Sequence, residues 1–195
     1  MSRAVWSGNR PETEYEAERR ICTAAFACFK RKGIERTTMS DVAREAGITR
    51  PTLYKYFRNK GDLLLTAIDR EALDFAQAVV NHARGFSTLE ARIVETIMYV
   101  VSEFPKSPNL ALVLGDELGE MLRSRAFSDE ATTVFSEMTA EPLIELCPEL
   151  AEEGVEVTEV MSRFAISMVL FPGRYGSDLD GLRALIKKRV LPGLI

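Results

Sequence analysis

The chain has 195 residues, 46% of them hydrophobic and 28% charged, with a net charge of -4. That length buries a core in one or two domains, and the acidic balance excludes indiscriminate binding to nucleic acid. One histidine and three cysteines, with no C-x-x-C pair, exclude a Cys/His zinc cluster and a disulfide framework.

The average hides an asymmetry. Residues 1–60 hold 13 Lys+Arg against 7 Asp+Glu, a net of +6, while residues 61–195 carry -10. A basic head on an acidic body confines phosphate contact to one end.

Residues 1–13 (MSRAVWSGNRPET) lack periodicity and read as a flexible arm. Arg3 and Arg10 suit a minor groove, against the plainer reading of a disordered tail. Trp6 has no role in either. A helix is expected over 14–32, with Ile21, Ala24, Ala25, Cys28 and Phe29 recurring on one face and Gly33 closing it. Lys30, Arg31 and Lys32 at its end read either as DNA-backbone contacts or as a solvated helix end. Cys22 and Cys28 lie six residues apart on this helix, too far round to share a ligand. With Cys147 they are expected to be reduced, structural thiols of a cytoplasmic protein.

The stretch 38–58, TMSDVAREAGITRPTLYKYFR, reads as two short helices around a tight turn. Thr38 with Asp41 is a T-x-x-D capping signal, so a helix should start at Met39. Val42, Ala43 and Ala46 face inward, and Gly47 ends the helix where a left-handed residue is wanted. Thr49 caps a second helix, with Pro51 in its first turn. Leu53 and Phe57 bury one side; Arg50, Thr52, Tyr54, Lys55 and Tyr56 form the outer side. A short basic, aromatic helix projected by a glycine turn is what a helix-turn-helix places in a major groove.

Asn59 with Asp62 opens a longer helix, whose stripe is Leu64, Ala67, Ile68, Ala72, Phe75, Ala76 and Val79. From Thr88 everything reads helical. A stripe from Leu89 to Phe104 stops at Pro105 and Pro108. Helices over 110–123 and 128–146 follow, the second kinked or restarted at Pro142. The next helix is apolar on two sides: Val157, Val160, Met161, Phe164, Ala165 and Met168 on one, Ile166, Val169 and Leu170 on another. A last stripe has Leu182, Leu185, Ile186 and Val190. Such a pair has more to bury than one small core takes, and is expected to pack against its copy in a second chain. No apolar run is long enough to cross a bilayer, and no segment reads as a signal peptide.

The run TMSDVAREAGITRPTLYKYFRNKGDLL, above all the L-Y-x-Y-F-x-x-K core from Leu53 to Lys60, resembles the DNA-binding signature of the tetracycline-repressor (TetR) family of bacterial transcriptional regulators. The resemblance runs from Arg19 to Leu65; beyond it only the helical pattern is similar. It implies an all-α fold, with a helix-turn-helix DNA-binding domain at 14–60 and an effector-binding and dimerisation domain at 61–195. It also implies a homodimer formed by the last two helices on a palindromic DNA operator, with the helix after Asn59 as a lever between the domains. Thr38, Tyr54, Tyr56 and Lys60 would then contact the DNA backbone, with Thr49, Arg50, Thr52 and Lys55 nearest base edges. Pro51 departs from the small residue common there; its ring suits a thymine methyl and offers no donor.

The resemblance favours a repressor released by a small apolar or amphipathic effector. Candidate lining residues are Phe75, Val79, Met98, Phe104, Leu112, Leu118, Met121, Phe135, Met138, Phe164 and Met168. This Phe- and Met-rich set suits an adaptable pocket, although the same spacing also makes plain core. His82, Tyr99, Asp116, Glu117 and Arg163 are candidate polar orienters. The alternative is a DNA-organising or constitutive DNA-binding protein without an effector. Asp116, Glu117 and Glu120 cluster as an enzyme's carboxylates do, but read better as a solvated face. No catalytic residue, metal or cofactor is expected.

Overall fold

Thr13 accepts a hydrogen bond from the Glu16 amide at 3.1 Å and so starts α1, Glu14–Lys32, at the expected residue. Acidic residues in its first turn and basic ones in its last complement the helix dipole. Ile21, Ala25, Cys28 and Phe29 are almost fully buried, and Phe26 joins them edge-on to Phe29. The structure, a computed structural model, describes residues 11–114, 124 and 128–195, so the arm with Arg3, Trp6 and Arg10 lies outside it.

Two compact units divide the chain after Glu71. The first, the head, contains α1, α2 (Met39–Glu45), α3 (Arg50–Tyr56) and the first half of α4 (Lys60–Ala83). Asn59 caps α4 by accepting from the Asp62 amide at 2.9 Å, and Leu63, Leu64 and Ala67 are buried in its opening turns. The sequence expectation put the domain boundary at residue 60; the packing groups another stretch of α4 with the head.

The second unit, the body, holds the rest of α4, then α5 (Leu89–Glu103), α6 (Asp129–Leu146), α7 (Gly154–Leu170) and α8 (Leu179–Leu185). Thr88 caps α5, which ends in a 3-10 turn at Phe104–Lys106 where the prolines were expected to stop it. α7 packs on both α5 and α6. The core gathers Ile93, Ile97, Leu143, Val157, Met161, Leu182 and Ile186. No strand occurs among the described residues, and no described helix is long and apolar enough to cross a membrane.

Three expectations change. α6 runs through Pro142 as one helix rather than restarting, held by buried Ser136, Thr139 and Ala140 before it and Leu143 after it. Of the helix expected over 110–123, the described part is a 3-10 turn at Leu110–Leu114, and the remainder lies outside the described residues. Leu182 and Ile186, expected at a contact between chains, are fully buried in the chain's own core. Val160, on one of the two apolar sides of α7, is 42% exposed.

Candidate nucleic-acid interface

The helix-turn-helix is held by a closed set of local hydrogen bonds. The Thr38 hydroxyl accepts from the Asp41 amide at 3.2 Å, and the Thr38 amide donates to Asp41 Oδ2 at 3.1 Å, completing the capping box. Asp41 Oδ1 also takes Lys32 Nζ from α1 and Arg44 Nη2 from α2, each at 2.6 Å. The Lys32 hydrogen bond, seconded by those from Thr38, holds the Asp41 carboxyl well below the usual carboxylate range. Arg31 pairs with Glu45 at 2.7 Å. Two of the three cations at the end of α1 are therefore engaged in joining α1 to α2, and Lys30 is left exposed. The sequence signal for Arg44 is the T-x-x-D-x-x-R spacing of Thr38, Asp41 and Arg44.

Gly47 turns the chain with φ 67°, and the Ile48 amide returns to the Ala43 carbonyl at 2.9 Å. Thr49 then caps α3, accepting from the Thr52 amide at 3.3 Å. Leu53 and Phe57 are buried, so α3 is fixed by its inner side. Arg50, Pro51, Tyr54 and Lys55 are exposed, and Tyr56 is half-buried. Arg50 lies along its own helix, with Nη2 3.3 Å from the Tyr54 hydroxyl and Cζ 5.4 Å from the ring centre.

Two candidate contact residues are placed differently from expectation. Thr52, expected on the outer side, is only 3% exposed, and its hydroxyl is 2.8 Å from that of Thr49. The cap draws it inward. Lys60 directs Nζ at the carbonyls of Ile34 and Glu35, at 2.9 and 3.0 Å, and so ties the start of α4 to the loop after α1.

In the body, the effector candidates separate into groups. Val79 and Met98 are buried core, whereas Phe164 and Met168 are partly buried against it. Leu112 is half-buried in the 3-10 turn. Phe75 and Phe104 belong to a run of rings. Phe104 meets Phe75 edge-on at 5.6 Å, Phe75 stacks on Tyr99 at 6.0 Å, and Tyr99 stacks on His82 at 4.4 Å. His82 and Phe86 close the run at 5.1 Å. Arg163 pairs with Glu159 at 2.9 Å. Leu118, Met121, Asp116, Glu117 and Glu120 lie outside the described residues, as do the side chains of Phe135 and Met138. Among the described residues no group of side chains is arranged to hold a metal ion.

Fold and site together define an all-α protein that carries a helix-turn-helix head. Residues 21–67 of the chain match the family of bacterial regulatory proteins, tetR family. Over 58 residues it is 38% identical to the HTH-type transcriptional regulator TtgR of Pseudomonas putida, a stretch covering 30% of this chain and only 28% of that protein. The fold extends the likeness to the whole chain. The TetR family repressor AlkX from Dietzia sp., implicated in biodegradation of n-alkanes, superposes with a TM-score of 0.70, at 21% identity over 96% of this chain and 97% of that one. The transcriptional regulator FadR from Bacillus subtilis in complex with stearoyl-CoA gives 0.51, at 21% identity over 90% and 96%.

Proposed function

We propose that this protein is a ligand-responsive transcriptional repressor that binds a palindromic operator as a homodimer and is released by an apolar or amphipathic effector. The observation that carries the reading is α3 itself, anchored by Leu53 and Phe57 and presenting Arg50, Tyr54 and Lys55 outward. Arg50 and Lys55 supply the donors suited to guanine O6 and N7, whereas Thr49 and Thr52 satisfy each other. Thr38, Tyr54 and Tyr56 belong on phosphates. Lys60 has two donors engaged on carbonyls and keeps one for the DNA backbone.

A dimer through α7 and α8 accounts for the exposed Val155, Val160, Phe171 and Leu179, which are costly to leave in water. Two-fold symmetry then sets two heads on successive major grooves, roughly 34 Å apart. Similarity to a repressor implicated in n-alkane breakdown and to a regulator bound to stearoyl-CoA supports an effector with an aliphatic chain. Such a ligand shifts the population toward a conformation that misses the operator.

Selection from a random duplex pool at moderate salt, paired with sedimentation of the purified chain, tests the first half. A palindrome bound by a dimer is expected; a monomer without sequence preference sinks it. Acyl thioesters, free fatty acids and alkanols titrated into the operator complex test the second. If none alters affinity, the effector reading fails while the operator reading stands.

A further inference from the structure

Arg70 sits on α4 within the head and reaches across to α1. Its Nη2 donates to the Glu18 carboxylate, and its Cζ lies 4.5 Å from the centre of the Tyr15 ring. Tyr15 and Glu18 are one helical turn apart, so the planar guanidinium is held by its edge and its face from the same side of α1. The Arg70 side chain is 18% exposed and that of Glu18 is 27%. Arg70 Nε is buried and meets no acceptor among the described residues. One turn further along α1, Cys22 is buried, and its thiol is pushed up to about 11, chiefly by burial and against the pull of Arg70. The pair therefore lies over a dry floor, where a cation is costly unless it is matched. Neither the capping geometry of the helix-turn-helix nor the candidate contact residues use this arrangement.

We propose that Arg70 is a positioning residue whose guanidinium, clamped between the Glu18 carboxylate and the Tyr15 ring, fixes residues 14–22 of α1 to α4 and so sets the angle at which the head meets DNA. The claim rests on the operator-binding reading. Lys32–Asp41 and Arg31–Glu45 join α1 to α2 at its far end, and Lys60 joins α4 to the loop after α1. Arg70 holds the near end. With both ends held, α1, α2 and α3 turn with α4 as one piece. With the near end freed, α3 keeps its own geometry and loses its fixed angle to α4. Arginine suits the post better than lysine because its flat group bonds a carboxylate and stacks on a ring at once.

The experiment compares full-length wild type with Arg70→Met, which keeps the apolar stem, and Arg70→Lys, which keeps the charge. Hydrogen exchange reads the clamp without DNA. In Arg70→Met, amides of residues 14–22 should exchange about tenfold faster while those of α2 and α3 are unchanged. Unchanged exchange there overturns the proposal. Operator variants with the half-site separation changed by one base pair read its consequence. Arg70→Met should lose about tenfold of the wild type's discrimination between spacings, with base preference inside each half-site intact, and Arg70→Lys should fall between. An affinity loss equal on all spacings marks a merely structural residue and also overturns it. A wild type that selects no duplex sinks the operator reading instead, and the exchange data still decide whether the clamp holds.

Discussion

Gly47 in the head and Gly154 in the body are both indispensable in appearance, yet the chain uses them differently. Gly47 has φ 67°, a left-handed turn between α2 and α3 that any Cβ opposes. Gly154 has an ordinary backbone, but a Cβ there would stand 2.4 Å from Ile144 Cγ1, because the start of α7 lies close against α6. One glycine is dictated by the chain's local path, the other by a neighbour on another helix. The same contrast runs through the two units. The head's shape leans on caps, a turn and ion pairs around a small apolar core. The body is built from apolar stripes that find partners across long separations.

The largest expected effect tests whether the two units stand separately. Leu53 is fully buried in the head, and Leu53→Ala should cost that unit about 2–5 kcal/mol. Urea unfolding followed by far-UV circular dichroism should split into two steps, with the body's step unmoved. A single displaced transition would show that head and body unfold together.

Next comes the proposed division of labour on α3. Lys55→Ala should relax preference at one or two base positions, costing about 1–3 kcal/mol for a lost bidentate contact. Tyr56→Phe should weaken binding to every sequence alike. Affinities on a panel of operator variants decide; equal loss everywhere for Lys55→Ala removes it from base reading. A smaller effect is expected at the turn, where Gly47→Ala should cost about 1–2 kcal/mol by forcing a side chain into the left-handed region. A stability unchanged within error would mean that the turn relaxes.

These contrasts also explain what could be read in advance. Thr38, Thr49 and Asn59 all start helices where the capping signals put them, because a cap depends on residues three or four positions away. The Thr52 hydroxyl turns inward because the cap at Thr49 draws it in, a pull that helical spacing alone does not show. Lys60 was legible as a helix start, but its bonds to Ile34 and Glu35 join residues some 25 positions apart, beyond any local pattern. Pro142 broke a local rule, and tertiary packing on both sides carried the helix through. In the body, apolar spacing located Ile93, Ile97 and Met161 in the core but did not separate them from the exposed Val160, and did not show that Leu182 joins the same core. A stripe says that a face is covered, without saying by which chain.

The subtlest prediction concerns acid. Asp41 collects Lys32, Arg44 and both Thr38 groups, and its folded carboxyl titrates far below the unfolded value of about 3.9. A depressed folded value means that the folded state favours the carboxylate. Its stabilisation is then fully present above the unfolded value and is lost as pH falls through that value toward the folded one. Asp41→Asn should therefore destabilise the head at neutral pH, and the gap from wild type should close progressively below about pH 4. The body lacks this residue's network, so its unfolding step should be indifferent to the substitution at every pH. Parallel denaturation curves at neutral and acid pH check both halves. A gap that persists undiminished in acid would mean that the asparagine side chain fails through its shape at the cap rather than through the lost charge, leaving the ion pair to Lys32 with little share in holding α1 to α2.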